Sequence, residues 1–277
     1  MVEDRYVEER LMRIRQCYIS SAIRNNKIAN TFLKCYNFKK YDNIDEPSFF
    51  FGFYNGKEDV EKIKSHKSLS ILIWRGSDIF MRGHLRFISK RPYIKNIAIS
   101  SFIAKDLKAN SISYKKIPLV GCDVKDIKSE ILGDEIYTYM PKTKKKRQLV
   151  KDIYGYKILE KIRDRCRFKI NVIRDCDEFS RSEILDLYKR CFLGLRLTKH
   201  DGIANTVIEL GLMGRRCIYN GKGVPNAIPW KEKDIEGILN SIGEEAKHIG
   251  SRNKKLSEDM RKYIDIGKDW IDTNYWI

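Results

Sequence analysis

The 277-residue chain has no C-x-x-C pair, no H-x3-H or H-E-x-x-H spacing and no G-x-G-x-x-G stretch. Its seven cysteines (Cys17, Cys35, Cys122, Cys166, Cys176, Cys191 and Cys217) are odd in number and scattered. That argues against a disulfide framework and a cysteine-ligated zinc site, and no structural metal is expected. Without the glycine fingerprint, an enzyme built on a dinucleotide cofactor is disfavoured. No apolar run approaches the ~20 residues of a membrane span. The opening MVEDRYVEERLMRIRQ is charged throughout and lacks the apolar stretch of a secretory signal. No internal repeat or low-complexity stretch interrupts the chain. A reduced, cytoplasmic protein is expected, with peripheral contact at a membrane surface left open.

What is present suits a folded enzyme. Hydrophobic residues make up 42% and charged residues 33% of the sequence, enough to fill a core and coat a surface. The net charge of +18 favours an anionic partner: nucleotide phosphate, acidic lipid or nucleic acid. A solvated basic surface, in a composition rich in Lys, Ile, Asn and Tyr, explains the same number. Residues 34–41, KCYNFKKY, interleave basic and aromatic side chains and keep a non-catalytic nucleic-acid-binding protein in view.

Apolar blocks alternate with amphipathic ones. Within 3–36, Val7, Leu11, Ile14 and Tyr18, then Ile23, Ile28 and Phe32, follow helical spacing and predict one or two helices. Strands are expected at 48–53, 69–74, 96–100 and 115–121, with helices at 57–67, up to about residue 90, and at 101–110. The alternation restarts with strands at 135–140, 168–173, 192–197 and 216–221. Helices fall at 154–166, 180–191 (capped by Ser180), 206–213, 234–247 and 256–272. Continuous apolar strands alternating with helices indicate α/β architecture with parallel sheets covered on both faces. Two such runs predict two Rossmann-like domains, 1–125 (with a helical segment over 1–47) and 126–277.

Ligands of open parallel sheets sit outside the carboxyl ends of the strands. There lies RLTKHDGIANTVIELGLMG, residues 196–214. A strand stops near Leu197, a loop carries His200, Asp201 and Gly202, and a short helix starts near Asn205 or Thr206. Free N–H groups and the dipole of that helix start suit a phosphate. Glu209, in the first turn, could take a ribose diol. Equally, Thr206-x-x-Glu209 is a capping box, Asp201-Gly202 a turn pair and Gly214 a helix stop. The run from Lys142 to Arg147, which includes Lys144, follows the first strand of the second half and reads by itself as a solvated basic loop. Two first-half strand ends, Asn55-Gly56 and Arg75-Gly76-Ser77-Asp78, are weaker candidates.

The Asp201-x7-Glu209 spacing, followed by L-G-L-M-G and a strand, resembles the acidic-x7-Glu signature of GT-B-fold, nucleotide-sugar-dependent glycosyltransferases, chiefly the retaining ones. Here Asp replaces the usual first Glu, and the usual proline of the loop is absent. NIAISSFIAKDLKANSISYKKIPLVG looks like the end of the family's first domain, EIYTYMPK like the first strand of its nucleotide-binding domain, and SEDMRKYIDIGKDWID like its final helix. The likeness spans roughly 48–272 and leaves 1–47 without a counterpart. It implies two domains facing each other across a cleft, with a C-terminal helix returning to the first. It further implies that Glu209 holds the ribose, that the backbone at Gly202, Ala204, Asn205 and Thr206 cradles the distal phosphate, and that Asp201 faces the transferred sugar. Lys142 or Lys144 would neutralise the diphosphate, and His200 would donate to the leaving group or a sugar hydroxyl. Arg75, Ser77 and Asp78 would lie on the acceptor side. A nucleotide sugar, UDP-linked first, is the donor, and no metal or further cofactor is implied. The acceptor is expected to be a glycan or glycolipid hydroxyl, with hydroxylated DNA bases as an alternative.

Overall fold

The computed structural model describes residues 13–24, 27–120, 123–142, 148–174, 178–202, 204–265, 267 and 269–277. In chain order the first elements are β1 (Gln16–Ile19), α1 (Lys27–Tyr36), β2 (Lys39–Lys40), β3 (Ser48–Phe51), α2 (Gly56–Ser65) and β4 (Ser70–Trp74). There follow α3 (Arg82–Ser89), β5 (Lys95–Ala98), α4 (Ser101–Ala109) and β6 (Lys115–Lys116). The remainder is β7 (Glu135–Tyr139), α5 (Gln148–Ile153), α6 (Tyr156–Arg163), β8 (Ile170–Ile173), α7 (Arg181–Lys189) and β9 (Cys191–Leu195). It ends with α8 (Asn205–Leu212), β10 (Arg216–Ile218), β11 (Ala227–Ile228), α9 (Ile235–Ala246) and α10 (Lys254–Ile264). The strands form two sheets, ordered β2-β1-β3-β4-β5-β6 and β11-β10-β9-β7-β8. Among the described residues no helix is long and apolar enough to cross a membrane.

Contacts divide the chain into two units. One takes the described residues up to Ile97, Leu107–Lys115 and the C-terminal residues from 267; the other takes Ala98–Asp106 and Lys116–Asp265. In the first, β1 pairs in parallel with both β2 and β3, and β3 with β4. Phe49, Phe50, Phe51, Ile71, Leu72, Ile73 and Trp74 are fully buried, as strands covered on both faces require. β1 corrects the helix expected through Tyr18. Local spacing favoured a helix there, but the register Cys17↔Phe49, Tyr18↔Phe50 places the segment inside the sheet, where long-range pairing overrides a weak local preference. The buried Gln16 amide donates to the Asn43 carbonyl (2.6 Å) and Ser48 Oγ (2.8 Å), and its oxygen accepts from the Asp42 and Asn43 N–H groups. The strand expected at 115–121 shrinks to β6, because Pro118 has no N–H to give a ladder. The helix expected to 272 stops at Ile264, and Trp270 instead packs edge-on to Tyr36, Phe38 and Phe49 in the first unit.

That packing also removes the basis for a base-stacking motif at 34–41. Phe38 is buried, Tyr36 packs on Phe32 and Trp270, and Tyr41 lies against Tyr18, Phe50 and His66. The aromatic faces are spent inside the unit.

In the second unit, β7 pairs in parallel with β8 and β9, and β10 with β9 and β11. Helices cover both faces. Ile158, Leu159, Ile162, Ile238 and Ile242 from α6 and α9 pack with Ile136, Leu193 and Leu195 on one side. Ile184, Leu187, Val207, Ile208 and Met260 from α7, α8 and α10 pack with Tyr137 and Cys191 on the other. Ser180 caps α7 in a full capping box with Glu183, as expected. At the amino ends of the strands the fully buried Arg215 donates to the carbonyls of Glu130, Ile131, Tyr188, Lys189, Cys191 and Met213. Six carbonyls on one guanidinium explain how a charge is tolerated there, although burial still pulls its pKa down to about 10.

Candidate functional site

Numbered within its own sheet, the second unit has the strand order 2-1-3-4-5, which reverses between β7 and β9. A crevice outside the carboxyl ends of such a pair is the usual ligand position. The segment singled out from sequence leaves β9 there. Arg196, its first residue, is buried and bridges to Asp201 (Nε to Oδ2, 2.6 Å), and Thr198 Oγ1 donates to the same oxygen at 3.3 Å. Burial works against the Arg196 charge, but the charge of Asp201 and its hydrogen bond outweigh it and hold the guanidinium above the ordinary arginine range. The rings of Tyr139, closing β7, and Tyr154 flank the guanidinium at 5.7 and 5.4 Å.

The loop is braced on several sides. Lys199 N–H donates to the Ile153 carbonyl (3.0 Å), and Tyr219 Oη donates to the Gly202 carbonyl (2.9 Å). Ser100 Oγ donates to the Asp201 carbonyl at 3.1 Å. His200 Nε2 meets Asp106 Oδ2 at 2.7 Å, and its ring lies against Phe102. Gly155, at φ 70°, allows the close approach of Leu197: a Cβ there would stand 2.5 Å from the Leu197 carbonyl oxygen.

The capping-box alternative is overturned. Ala204, extended at φ −71°, ψ 129°, is the N-cap of α8; it has no side chain that could cap, and Thr206 sits two positions too far inside. Glu209 does not turn back to a cap N–H. Its carboxylate, 4% exposed, accepts from Arg181 Nη1 at 2.6 Å, while Arg181 Nη2 donates to the Asp123 carbonyl. Burial, with the Glu209 carboxylate nearby, pushes the Tyr188 phenol well above its ordinary value. Arg181, the first residue of α7, carried no motif in the sequence and is found only by folding. Gly214, at φ 87°, does end α8 as a helix stop.

Lys142 lies beyond β7, exposed, and its ammonium pairs with Glu178. Lys144 lies outside the described residues. Asp175-Cys176-Asp177, a D-x-D triplet following β8, also lies outside them. Among the described residues no cluster of three His, Cys, Asp or Glu could hold a metal.

The first-half candidates resolve differently. Asp78 is completely buried, and its carboxylate accepts from the N–H groups of Arg75, Gly76 and Phe53 at 2.8–3.3 Å. It therefore shapes the loop after β4 and does not face an acceptor. Burial raises its pKa from 3.8 to about 6, against the pull of those N–H groups. A folded-state pKa above the unfolded value means that the native state holds the proton longer. Stability of the natural chain relative to Asp78→Asn is therefore expected to fall as pH rises from about 4 to about 6 and then to level off, as urea unfolding at successive pH values would read. Arg75 lies over the Phe51 ring at 4.3 Å. Ser77 begins a 3-10 turn, and its side chain lies outside the described set. Asn55 precedes α2, where the buried Asp59 accepts from Ser20 Oγ and from the Tyr54 and Asn55 N–H groups, filling that turn with its own carboxylate.

No family profile matches the chain, and no characterised protein is similar to it in sequence. Solved structures share its fold. TarM of S. aureus, in a structure holding fondaparinux, alpha-GlcNAc-glycerol and UDP, superposes with a TM-score of 0.54 at 11% identity, over 83% of this chain and 54% of that one. The chain thus spans about half the length of TarM. An alpha,alpha-trehalose-phosphate synthase (UDP-forming) from Burkholderia xenovorans, holding glucose-6-phosphate, gives 0.53 at 8% identity over 90% and 76%. Sucrose-phosphate synthase from Thermosynechococcus elongatus gives 0.53 at 6% over 79% and 68%.

Proposed function

We propose that this chain, which has the GT-B fold shared by those glycosyltransferases, moves a sugar from a nucleoside diphosphate sugar, UDP-linked first among them, to a hydroxyl of a glycan or glycolipid, with retention. The observation that carries the proposal is the start of α8: a helix N-terminus uncapped by any described side chain, set between Asp201 and Glu209 at the switch point of a parallel sheet. Glu209 would take the ribose hydroxyls, and the backbone from Gly202 through Ala204, Asn205 and Thr206 the distal phosphate. When the anomeric C–O bond breaks, its electron pair leaves with the diphosphate, where the helix start and Lys142 meet the growing negative charge. The sugar gains oxocarbenium character, which the Asp201 carboxylate stabilises. Arg196 and Thr198 both hold Oδ2, so Oδ1 is the oxygen to turn towards the sugar. His200, fixed by Asp106, would serve the leaving group or a sugar hydroxyl as a proton donor. These groups carry the charge without requiring a metal, and the surplus of +18 suits work at an acidic membrane face.

Thermal stabilisation against UDP-, GDP-, ADP- and CMP-sugars tests this. A true donor at a hundred times its dissociation constant adds about 2.7 kcal/mol. Stabilisation by one nucleotide class is the expected result. No stabilisation by any donor would overturn the proposal.

A further inference from the structure

At the opposite end of the second sheet, away from the carboxyl ends of its strands, lies a cavity of about 220 Å³. Its walls carry Arg216, Glu245, His248 and Arg252, and its floor is formed by Leu132 and Gly214. Elsewhere in this unit Arg196–Asp201 and Arg181–Glu209 each close to 2.6 Å, and Arg190–Glu135 to 3.4 Å. The arginines of the cavity are slack. Arg216 reaches Glu245 only at 3.5 Å, and Arg252 reaches Glu130 only at 4.0 Å. A charge-assisted N–H···O bond normally closes to about 2.7–2.9 Å. Arg216 Nε is moreover buried with no partner, so Glu245 does not satisfy this guanidinium in full.

The lining holds two arginines and one carboxylate, with His248 beside them. The cavity has room for several waters, or for one tetrahedral oxyanion with a small substituent. We propose that it is a binding site for a phosphate group, free or as a small monoester, held by the guanidinium forks of Arg216 and Arg252. A planar fork suits phosphate oxygens in pairs. Glu245 is the internal competitor for Arg216. Burial raises its pKa, with Arg216 and His248 pulling the other way, so its charge is already poorly accommodated. This site is independent of the nucleotide-sugar proposal, which concerns the other end of the strands.

Isothermal titration of the full chain with inorganic phosphate, and separately with glycerol 1-phosphate, tests the assignment. Arg216→Met and Arg252→Met are each expected to weaken binding by about tenfold, and Glu245→Gln to tighten it. Tighter binding of glycerol 1-phosphate than of phosphate would identify a monoester as the ligand; equal binding would identify the free ion. Should Arg216→Met fail to fold, the exposed Arg252 and the charge-removing Glu245→Gln carry the test alone. No phosphate binding at millimolar concentration, or binding unchanged in Arg252→Met and Glu245→Gln, would overturn the proposal.

Discussion

Asp201→Ala is expected to lower the stability of the second unit by about 3–5 kcal/mol, the cost of leaving one member of a buried ion pair alone. The side chains of Arg196 and Asp201 are only 9% and 16% exposed, so little solvent reaches the stranded guanidinium. Denaturant unfolding reads this as a fall in midpoint with the slope unchanged. An alanine variant would therefore confuse folding with catalysis. Asp201→Asn keeps an acceptor for Arg196 and separates them. It should fold, bind UDP within about threefold of the natural chain, and lose turnover by about a hundredfold, as when a charge-stabilising group is removed from a transition state. An asparagine variant with full turnover would remove Asp201 from the sugar.

Glu209→Ala shifts the effect from stability to affinity. Two charge-assisted hydrogen bonds to a ribose diol, at about 1.5–3 kcal/mol each, lead us to expect UDP binding at least a hundredfold weaker. The fold should suffer less than in Asp201→Ala, because the partner Arg181 is 44% exposed and can turn to water. Comparing UDP titrations with unfolding curves of both variants makes the contrast visible. Unchanged UDP affinity in a folded Glu209→Ala chain would assign Glu209 to the support of α7 and α8 and take the ribose from it.

The contrast between these two acidic residues was invisible in the spacing Asp201-x7-Glu209. That spacing located both, and the alternation of apolar blocks located β7, β8, β9, α7 and the start of α8 within a few residues. Partners were another matter. Arg181 lies 28 positions from Glu209 and Asp106 lies 94 from His200; neither carries a local pattern. β11, two residues long, and the six-residue α5 are too short to show a period. Thr206-x-x-Glu209 shows the limit of local grammar. The motif was present, but the chain entered the helix two residues earlier, at Ala204, because the preceding loop is tied down by Lys199, Asp201 and Gly202 to distant parts of the unit.

From the sequence alone came the α/β class, the two runs of strand and helix, and the segment 196–214 as the candidate site. Each follows from short-range physics: burial of continuous apolar blocks, and a helix start after a strand. Tertiary structure alone decided that 16–19 is a strand, that Asp78 faces inward to three N–H groups, and that the rings of 34–41 pack against others of the first unit. It also set Arg196 against Asp201 and left Arg216 loosely paired. Each of these depends on which distant groups arrive beside a residue. A buried charge or amide takes its role from the partner that compensates it, and no local spacing specifies that partner.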